Sequence, residues 1–419
     1  MINPEMGLRL VLNIEGAGSE KAVVSMDSPD QGAYGIPMQV NYIDSDSLSV
    51  KVPQLALSYT GALNGESLSG EFSQGPLKLP LVLSPKVTVT ARPQTPVPPF
   101  PYITEEVMFQ SQLDGAGLYG TLSLPDKNVE ETRVVLLVSG SGVQNRDEEI
   151  FNHKPFAVIA DYLARNGIAS LRYDDRGFDK TTGLLPNSTT EENAMDALGG
   201  INFLKEKGFN KIGIIGHSEG GLIADILGSD GNKLDFIVQI GGPAVSGADI
   251  LIFQNEFLLK DGGVPDEYVA MYIDALKGIF ESHKEGNTMS FEESEYEIFS
   301  TENTANPVVA PLAKNLKDNF FPMAPWVKQF INYDPLQDIK KITVPMLMLY
   351  GEKDTQVPPS LNLPALEKNT SGIAIKVYPE LNHLMQHCTT GKVTEYAEIE
   401  ETVSPAVLED IKSFILSLP

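Results

Sequence analysis

The sequence predicts an α/β protein with a mostly parallel central sheet, helices on both faces, a helical insertion and a separate small all-β domain in front. Three observations predict it. From residue 102 onward, apolar runs rich in β-branched residues alternate with segments of helical period, the pattern of a parallel sheet covered on both faces. That alternation breaks between about 245 and 340. Residues 1–91 carry only short strand-like runs separated by Gly, Asn, Asp, Ser and Pro, the spacing of a small barrel or sandwich.

The N-terminal runs are Leu8–Ile14, Ala22–Met26, Met38–Tyr42, Leu48–Val52 and Leu81–Leu83. Residues 1–91 contain no His or Cys, so a structural or substrate-shielding role is expected of them. Residues 92–101 follow, with five prolines between Pro93 and Pro101, a composition that favours a stiff, extended linker. Strand-like Val107–Gln110 and Leu118–Leu124 form an antiparallel entry. After them come strands at Arg133–Val138, Ala169–Tyr173, Lys211–Ile215 and Phe236–Ile240, with helices at Phe156–Asn166, Glu191–Lys207 and Leu222–Leu227. The break at 245–340 reads as helices such as Glu267–Phe280 and Phe291–Ser300. It is too long for a simple loop, so a folded helical cap is expected there. The sheet resumes at Met346–Tyr350 and Ile373–Val377, and a helix around Pro405–Leu418 closes the chain. The catalytic domain is thus expected over 102–244 and 341–419.

Composition narrows the function classes. Hydrophobic residues make up 42% and charged residues 21% of 419, which suits a globular protein of two or three domains rather than a disordered chain. The formal charge of −25 argues against nucleic acid or anionic lipid as partner. Cys388 is the single cysteine, so no internal disulfide forms; one cysteine suits the cytoplasm and does not exclude the periplasm. No apolar run reaches the roughly 18 residues of a membrane span. The start, Met1-Ile2-Asn3-Pro4-Glu5, lacks the basic and apolar segments of a signal peptide, and export with prior removal of a signal gives the same start.

The chemistry centres on Gly216-His217-Ser218-Glu219-Gly220, a Gly-x-Ser-x-Gly set directly after a strand and before a helix. A serine on so tight a turn projects its hydroxyl at the carboxyl end of the sheet, and small residues two positions away leave room for the crossing. Such a serine needs a base, and the base needs a carboxylate to fix its tautomer. The five histidines are His153, His217, His283, His383 and His387. With the order Ser, acid, His, His383 fits best, because it follows the strand Ile373–Val377 by a short loop. His283 lies in the cap in a polar stretch, and His387 is the second choice, suited to substrate contact. The acid is Asp354, just after Met346–Tyr350, with Glu352 as fallback. Two amides are expected to hold the oxyanion: that of Glu219, and that of Ser141 or Gly142 in the small-residue loop after Arg133–Val138. Arg176 and Trp326 are candidates for lining the site, and for each a structural role is an equal or safer reading. The charged run Arg146–Glu149 either positions the oxyanion loop or is solvated. No metal-ligand spacing, phosphate loop or dinucleotide fingerprint occurs, so no metal and no cofactor is expected.

Together, Val138–Glu148, the Gly216–Gly221 turn, Tyr350-Gly351-Glu352-Lys353-Asp354 with Gln356-Val357-Pro358, and Leu381-Asn382-His383 resemble bacterial α/β-hydrolase fold serine carboxylesterases. Thr389-Thr390-Gly391, Glu395-Tyr396 and Ile399-Glu400-Glu401-Thr402 also fit that group, and the resemblance covers about 102–419. It implies hydrolysis of short acyl esters through Ser218, Asp354 and His383, a small-molecule ester as partner, and in some members an extra N-terminal β domain and export. Two positions depart from the family pattern: Ser139-Gly140 replaces the usual His-Gly, and Lys180-Thr181 the usual Lys/Arg-Ser. A peptidase or thioesterase would use the same triad. From a different class, a non-catalytic binding protein on a hydrolase scaffold would lack a triad member, and none is missing. A third reading makes the N-terminal β domain the functional part, binding glycan or a partner; its lack of clustered aromatics argues mildly against this.

Overall fold

A computed structural model of the chain describes residues 10–16, 22–28, 33–74, 77–84, 90–125, 128–183, 188–230, 234–284, 287, 290–369 and 372–419. The chain divides into two compact units, residues 1–91 with 393–398, and residues 92–392 with 399–419.

In the first unit, seven strands form one antiparallel sheet in sequence order: β1 (Val11–Glu15), β2 (Val23–Ser28), β3 (Ala33–Ile43), β4 (Ser47–Val52), β5 (Leu57–Asn64), β6 (Ser67–Gln74) and β7 (Leu77–Leu83). The order is open among the described residues, with β1 and β7 at its ends, where the sequence had suggested a barrel or sandwich. The expected strand Leu8–Ile14 lies partly outside the described residues. Strands β5 and β6 were hidden by their Ser and Gly content. They pair along their whole length from Leu57↔Gln74 to Asn64↔Ser67, joined by Gly65 and Glu66, and cross-strand bonds such as Ser58 to Ser73 replace apolar contacts on one face. On the other face Val24, Met26, Leu48, Val50, Val52, Leu57 and Tyr59 form the core, each set spaced by two residues as a pleated strand requires.

The second unit holds an eight-stranded mixed sheet: β8 (Ile103–Gln110), β9 (Gly117–Leu124), β10 (Arg133–Val138), β11 (Ala169–Tyr173), β12 (Lys211–His217), β13 (Phe236–Ile240), β14 (Met346–Gly351) and β15 (Ala374–Tyr378). Its order is β8-β9-β11-β10-β12-β13-β14-β15. Pairing is antiparallel for β8–β9 and β9–β11 and parallel from there to β15. The helices are α1 (Pro155–Arg165), α2 (Thr190–Glu206), α3 (Glu219–Ser229), α4 (Gly247–Asp261), α5 (Asp266–Ser282), α6 (Thr301–Ala305), α7 (Val309–Asn319), α8 (Pro325–Asn332), α9 (Leu336–Ile339), α10 (Pro359–Asn369) and α11 (Pro405–Ser417).

Strand β10 shows why the sheet is covered on both sides. Val134, Leu136 and Val138 join one core with Ile201 and Leu204 of α2 and Leu222 and Leu227 of α3. Val135 and Leu137 join a second core with Phe156 and Leu163 of α1 and Val407 and Ile411 of α11. Alternate side chains of an unbroken apolar run therefore bury in opposite directions, as expected of a parallel strand buried on both faces. Helix α2 starts where its sequence says it should. Thr189 accepts from the Glu192 amide while Glu192 reaches back to the Thr189 amide, a capping box.

Between β13 and β14, α4, α5, α7 and α8 contribute to a separate apolar cluster around Tyr272, Leu276, Ile279, Val309, Leu316 and Ile331. The helix expected at Phe291–Ser300 is instead two 3-10 turns, Glu293–Glu295 and Glu297–Phe299. Phe291 stacks on Tyr296 at 4.7 Å, a contact that closes the segment on itself. Helix α4 lies in the stretch read as helices without being singled out there; only Gly247 and Ile250 of it are buried, too few to imprint a periodic stripe.

Residues 92–101, read as a linker, cluster with the second unit. Arg92 donates to the carbonyls of Ile399 and Phe151 at 2.7 and 2.8 Å. The Gln94 side chain donates to the Val403 carbonyl and accepts from the Thr402 and Val403 amides.

Candidate active site

Three parallel strands end at the same edge of the sheet, and each delivers one candidate: β12 delivers Ser218, β14 Asp354 and β15 His383. The carboxyl edge of a parallel sheet is where such folds bind ligands.

Ser218 sits at φ 52° and ψ −119°, left-handed and costly for a residue with a Cβ. Three contacts hold it there. Its amide donates to the Ile240 carbonyl at 2.9 Å. A Cβ on Gly216 would lie 2.1 Å from the Gly220 carbonyl oxygen, and one on Gly220 would lie 2.2 Å from that of Val138. Both glycines are required by close backbone approach, which explains the Gly-x-Ser-x-Gly spacing.

The His383 Nδ1 and an Asp354 carboxylate oxygen are 2.7 Å apart. The other Asp354 oxygen accepts from the Gln356 and Val357 amides at 2.8 Å each. Both side chains are buried, so the carboxylate is fully bonded and fixed in direction. The pair lies against Gly241, where a Cβ would meet the His383 ring at 3.0 Å and Asp354 at 3.4 Å. The Ile240 carbonyl holds the Ser218 amide, and the next residue, Gly241, faces the Asp354–His383 pair. Glu352 is exposed. His387 is exposed too and pairs with Glu401 at 2.7 Å. His283 bonds the Ile279 carbonyl within the helical insertion.

The loop after β10 is tied down by charge. The Gly140 amide donates to Glu148 at 2.8 Å, the Ser139 hydroxyl to Asp175, and the Gln144 amide to Asp175 at 2.8 Å. The run Arg146–Glu149, ambiguous in the sequence, is structural: Arg146 bridges Asp174 and Glu106, and Asp147 pairs with Arg172. With the Gly140 amide already committed, the next donors along the loop are the Ser141 and Gly142 amides, on an exposed turn.

A cavity of about 470 Å³ adjoins this loop. Ser141, Gly142, Asp175, Glu219, Ile223 and Trp326 are among the residues that line it. Arg176 lines it as well, but its guanidinium is committed to Asp196, Asp114 and Ser111. His387 is not among the lining residues. Burial pushes the Asp175 carboxyl up to about 8, against the bonds from the Gln144 amide and the Ser139 hydroxyl. Trp326 of α8 donates its indole N–H to Glu219 at 2.9 Å, and the Thr190 hydroxyl donates to the same oxygen at 2.7 Å.

Sequence reasoning gave no role to His217 or Thr190, and it left Glu148 in an ambiguous charged run and Asp175 in the strand-end run Arg172–Gly177 that could line the site. Their partners lie tens of residues away, as with His217 and Glu148, 69 positions apart, and no local spacing signals such pairings. Among the described residues no group of three or more His, Cys, Asp or Glu is placed to hold a metal ion.

No protein-family model matches the chain. Esterase EstD of Thermotoga maritima is 27% identical over 291 residues, 68% of this chain and 62% of that protein. This chain is similar to that esterase. It spans less than two thirds of the length of this curated relative. Among solved structures, the esterase Pf2001 of Pyrococcus furiosus is 16% identical with a TM-score of 0.46, covering 76% of this chain and 90% of that one. An esterase of Exiguobacterium antarcticum is 16% identical with a TM-score of 0.44, covering 75% of this chain and all of that one, at 100%. No helix among the described residues is long and apolar enough to cross a membrane.

Proposed function

We propose that the protein is a serine hydrolase of carboxylic esters working through an acyl-enzyme. The observation that carries this reading is the strained Ser218 turn beside the buried Asp354–His383 pair at the same sheet edge. Ser218 Oγ attacks the ester carbonyl carbon while His383 Nε2 takes its proton. Asp354 holds Nδ1 and stabilises the imidazolium. The amides of Glu219 and Ser141 receive the oxyanion, the first at the start of α3, where helix-end amides and the helix dipole favour negative charge. His383 then hands the proton to the departing alkoxide. Water, activated by the same imidazole, attacks the acyl-enzyme and frees the acid and Ser218.

Residues 245–340 act in this reading as a cap, with Ala324, Trp326 and Val327 bordering the cavity. The cavity takes the larger portion of the ester. Hydrolysis of a graded series of chromogenic esters by the wild type and by Ser218→Ala tests the reading. Turnover by the wild type alone supports it. Equal rates from the two proteins, or turnover of thioesters or peptides in preference to esters, would replace it.

A further inference from the structure

The histidine inside the serine turn is not needed for the proposed chemistry, yet it is buried and bonded at both ring nitrogens. His217 Nδ1 lies 2.8 Å from Glu148 Oε1, and Nε2 lies 3.1 Å from the backbone carbonyl oxygen of His383. Both neighbours offer lone pairs. A neutral imidazole has one N–H and one bare lone pair, so it meets one of them with lone pair against lone pair. Two protonation patterns satisfy both contacts: an imidazolium facing a carboxylate, or a neutral Nε2–H ring facing a protonated Glu148. The Gly140 amide decides between them, because it donates to the same Glu148 oxygen at 2.8 Å, and a donor aimed at a carboxylate favours the ionised form.

Resting on the esterase reading for its catalytic meaning, we infer that His217 is a positioning residue held as an imidazolium. It clasps Glu148, and through it the Gly140 amide of the oxyanion loop, together with the carbonyl of His383. One cation thereby fixes the serine turn, the oxyanion loop and the loop bearing the base to one another. Its surroundings on the remaining sides are apolar, Pro155, Phe156, Ile240, Leu384 and Met385 among them. The titratable groups that face it are Glu148 from the loop after β10, Asp354 after β14, and the ring of His383 at 4.6 Å. Burial opposes its charge, and the Glu148 carboxylate overrides that, so His217 titrates above the ordinary histidine range.

The test has two arms. In full-length protein labelled at its histidine nitrogens, nuclear magnetic resonance at pH 7.5 reads the ring directly, with His217→Asn assigning the signal. A free histidine is about nine-tenths neutral at that pH; His217 is expected to show both nitrogens protonated. A ring with one protonated nitrogen overturns the inference, and this arm stands even where no ester is hydrolysed. The second arm is the pH profile of kcat for Glu148→Gln. The amide still accepts from Gly140 and His217 but brings no charge, so the imidazolium is lost at lower pH. The alkaline limb is expected to move down by about one unit or more, with phosphonate labelling of Ser218 at low pH retained. A profile that superimposes on the wild type removes the positioning role. A wild type that is itself unlabelled at Ser218 instead counts against the esterase reading.

Discussion

The indole of Trp326 donates a hydrogen bond to the carboxylate of Glu219 at 2.9 Å, which ties helix α8 to the residue that follows Ser218. Trp326 is the only tryptophan in the chain, so the tryptophan fluorescence comes from this residue alone. Trp326→Phe keeps the ring stacked on Phe330 and removes the donor. A hydrogen bond to a charged group contributes about 1.5 kcal/mol or more, so kcat/KM should fall about 10-fold. A substrate-sized inhibitor should shift the wild-type emission on binding; an unchanged spectrum at saturation would separate Trp326 from the substrate site.

Asp354→Asn retains the shape of the acid and loses its charge. The Asn amide group turned toward His383 stabilises the wrong tautomer, and kcat should fall on the order of 10³–10⁴-fold. Steady-state hydrolysis checks this. A fall smaller than 10-fold, roughly 1.4 kcal/mol, would shift the role to another acid.

Asp175 makes a pH-dependent prediction. Its folded carboxyl titrates at about 8, above the roughly 3.9 of an unfolded chain. Between those values the unfolded state releases a proton that the folded state keeps, so this residue's contribution falls as pH rises and levels off above the folded value. Asn at this position accepts from Gln144, can donate to Ser139, and does not ionise. The melting temperature of Asp175→Asn relative to the wild type should therefore climb across that window, by at least about 2 °C in total. A difference flat from pH 4 to 9 would contradict the burial argument.

Gly216→Ala forces a Cβ to 2.1 Å from the Gly220 carbonyl oxygen. Overpacking of this kind costs about 1–3 kcal/mol, and here the relief has to come from the serine turn itself. Both the midpoint of chemical denaturation and ester turnover should drop together. Wild-type turnover in the variant would mean that the turn tolerates a wider path.

Much of the second unit was legible because its signals are local. The run Arg133–Val138 is apolar throughout, and the structure buries it on two faces. The order of Ser218, Asp354 and His383 at strand ends follows from three such runs, since each residue stands within a few positions of the strand that carries it. The first unit was half legible: β5 and β6 keep their register by Ser and Gly pairing, and hydrophobic periodicity is silent there. The helix expected at 291–300 failed for the opposite reason, as its aromatic residues gather on one another rather than along one helical face.

By itself the sequence determined the sheet-forming runs, the glycine pair around Ser218 and the place of each candidate along the chain, because strand propensity and tight-turn sterics act over a few residues. Only the tertiary structure decided what each charge does. Glu148 reaches His217 across 69 positions, and Trp326 reaches Glu219 across 107. Arg176 lines the cavity with its guanidinium committed to Asp196 and Asp114. Such partners are set by how strands and helices stack in three dimensions. A buried charge takes the counter-charge or hydrogen-bond donor that packing places beside it, and chain separation has no part in that choice.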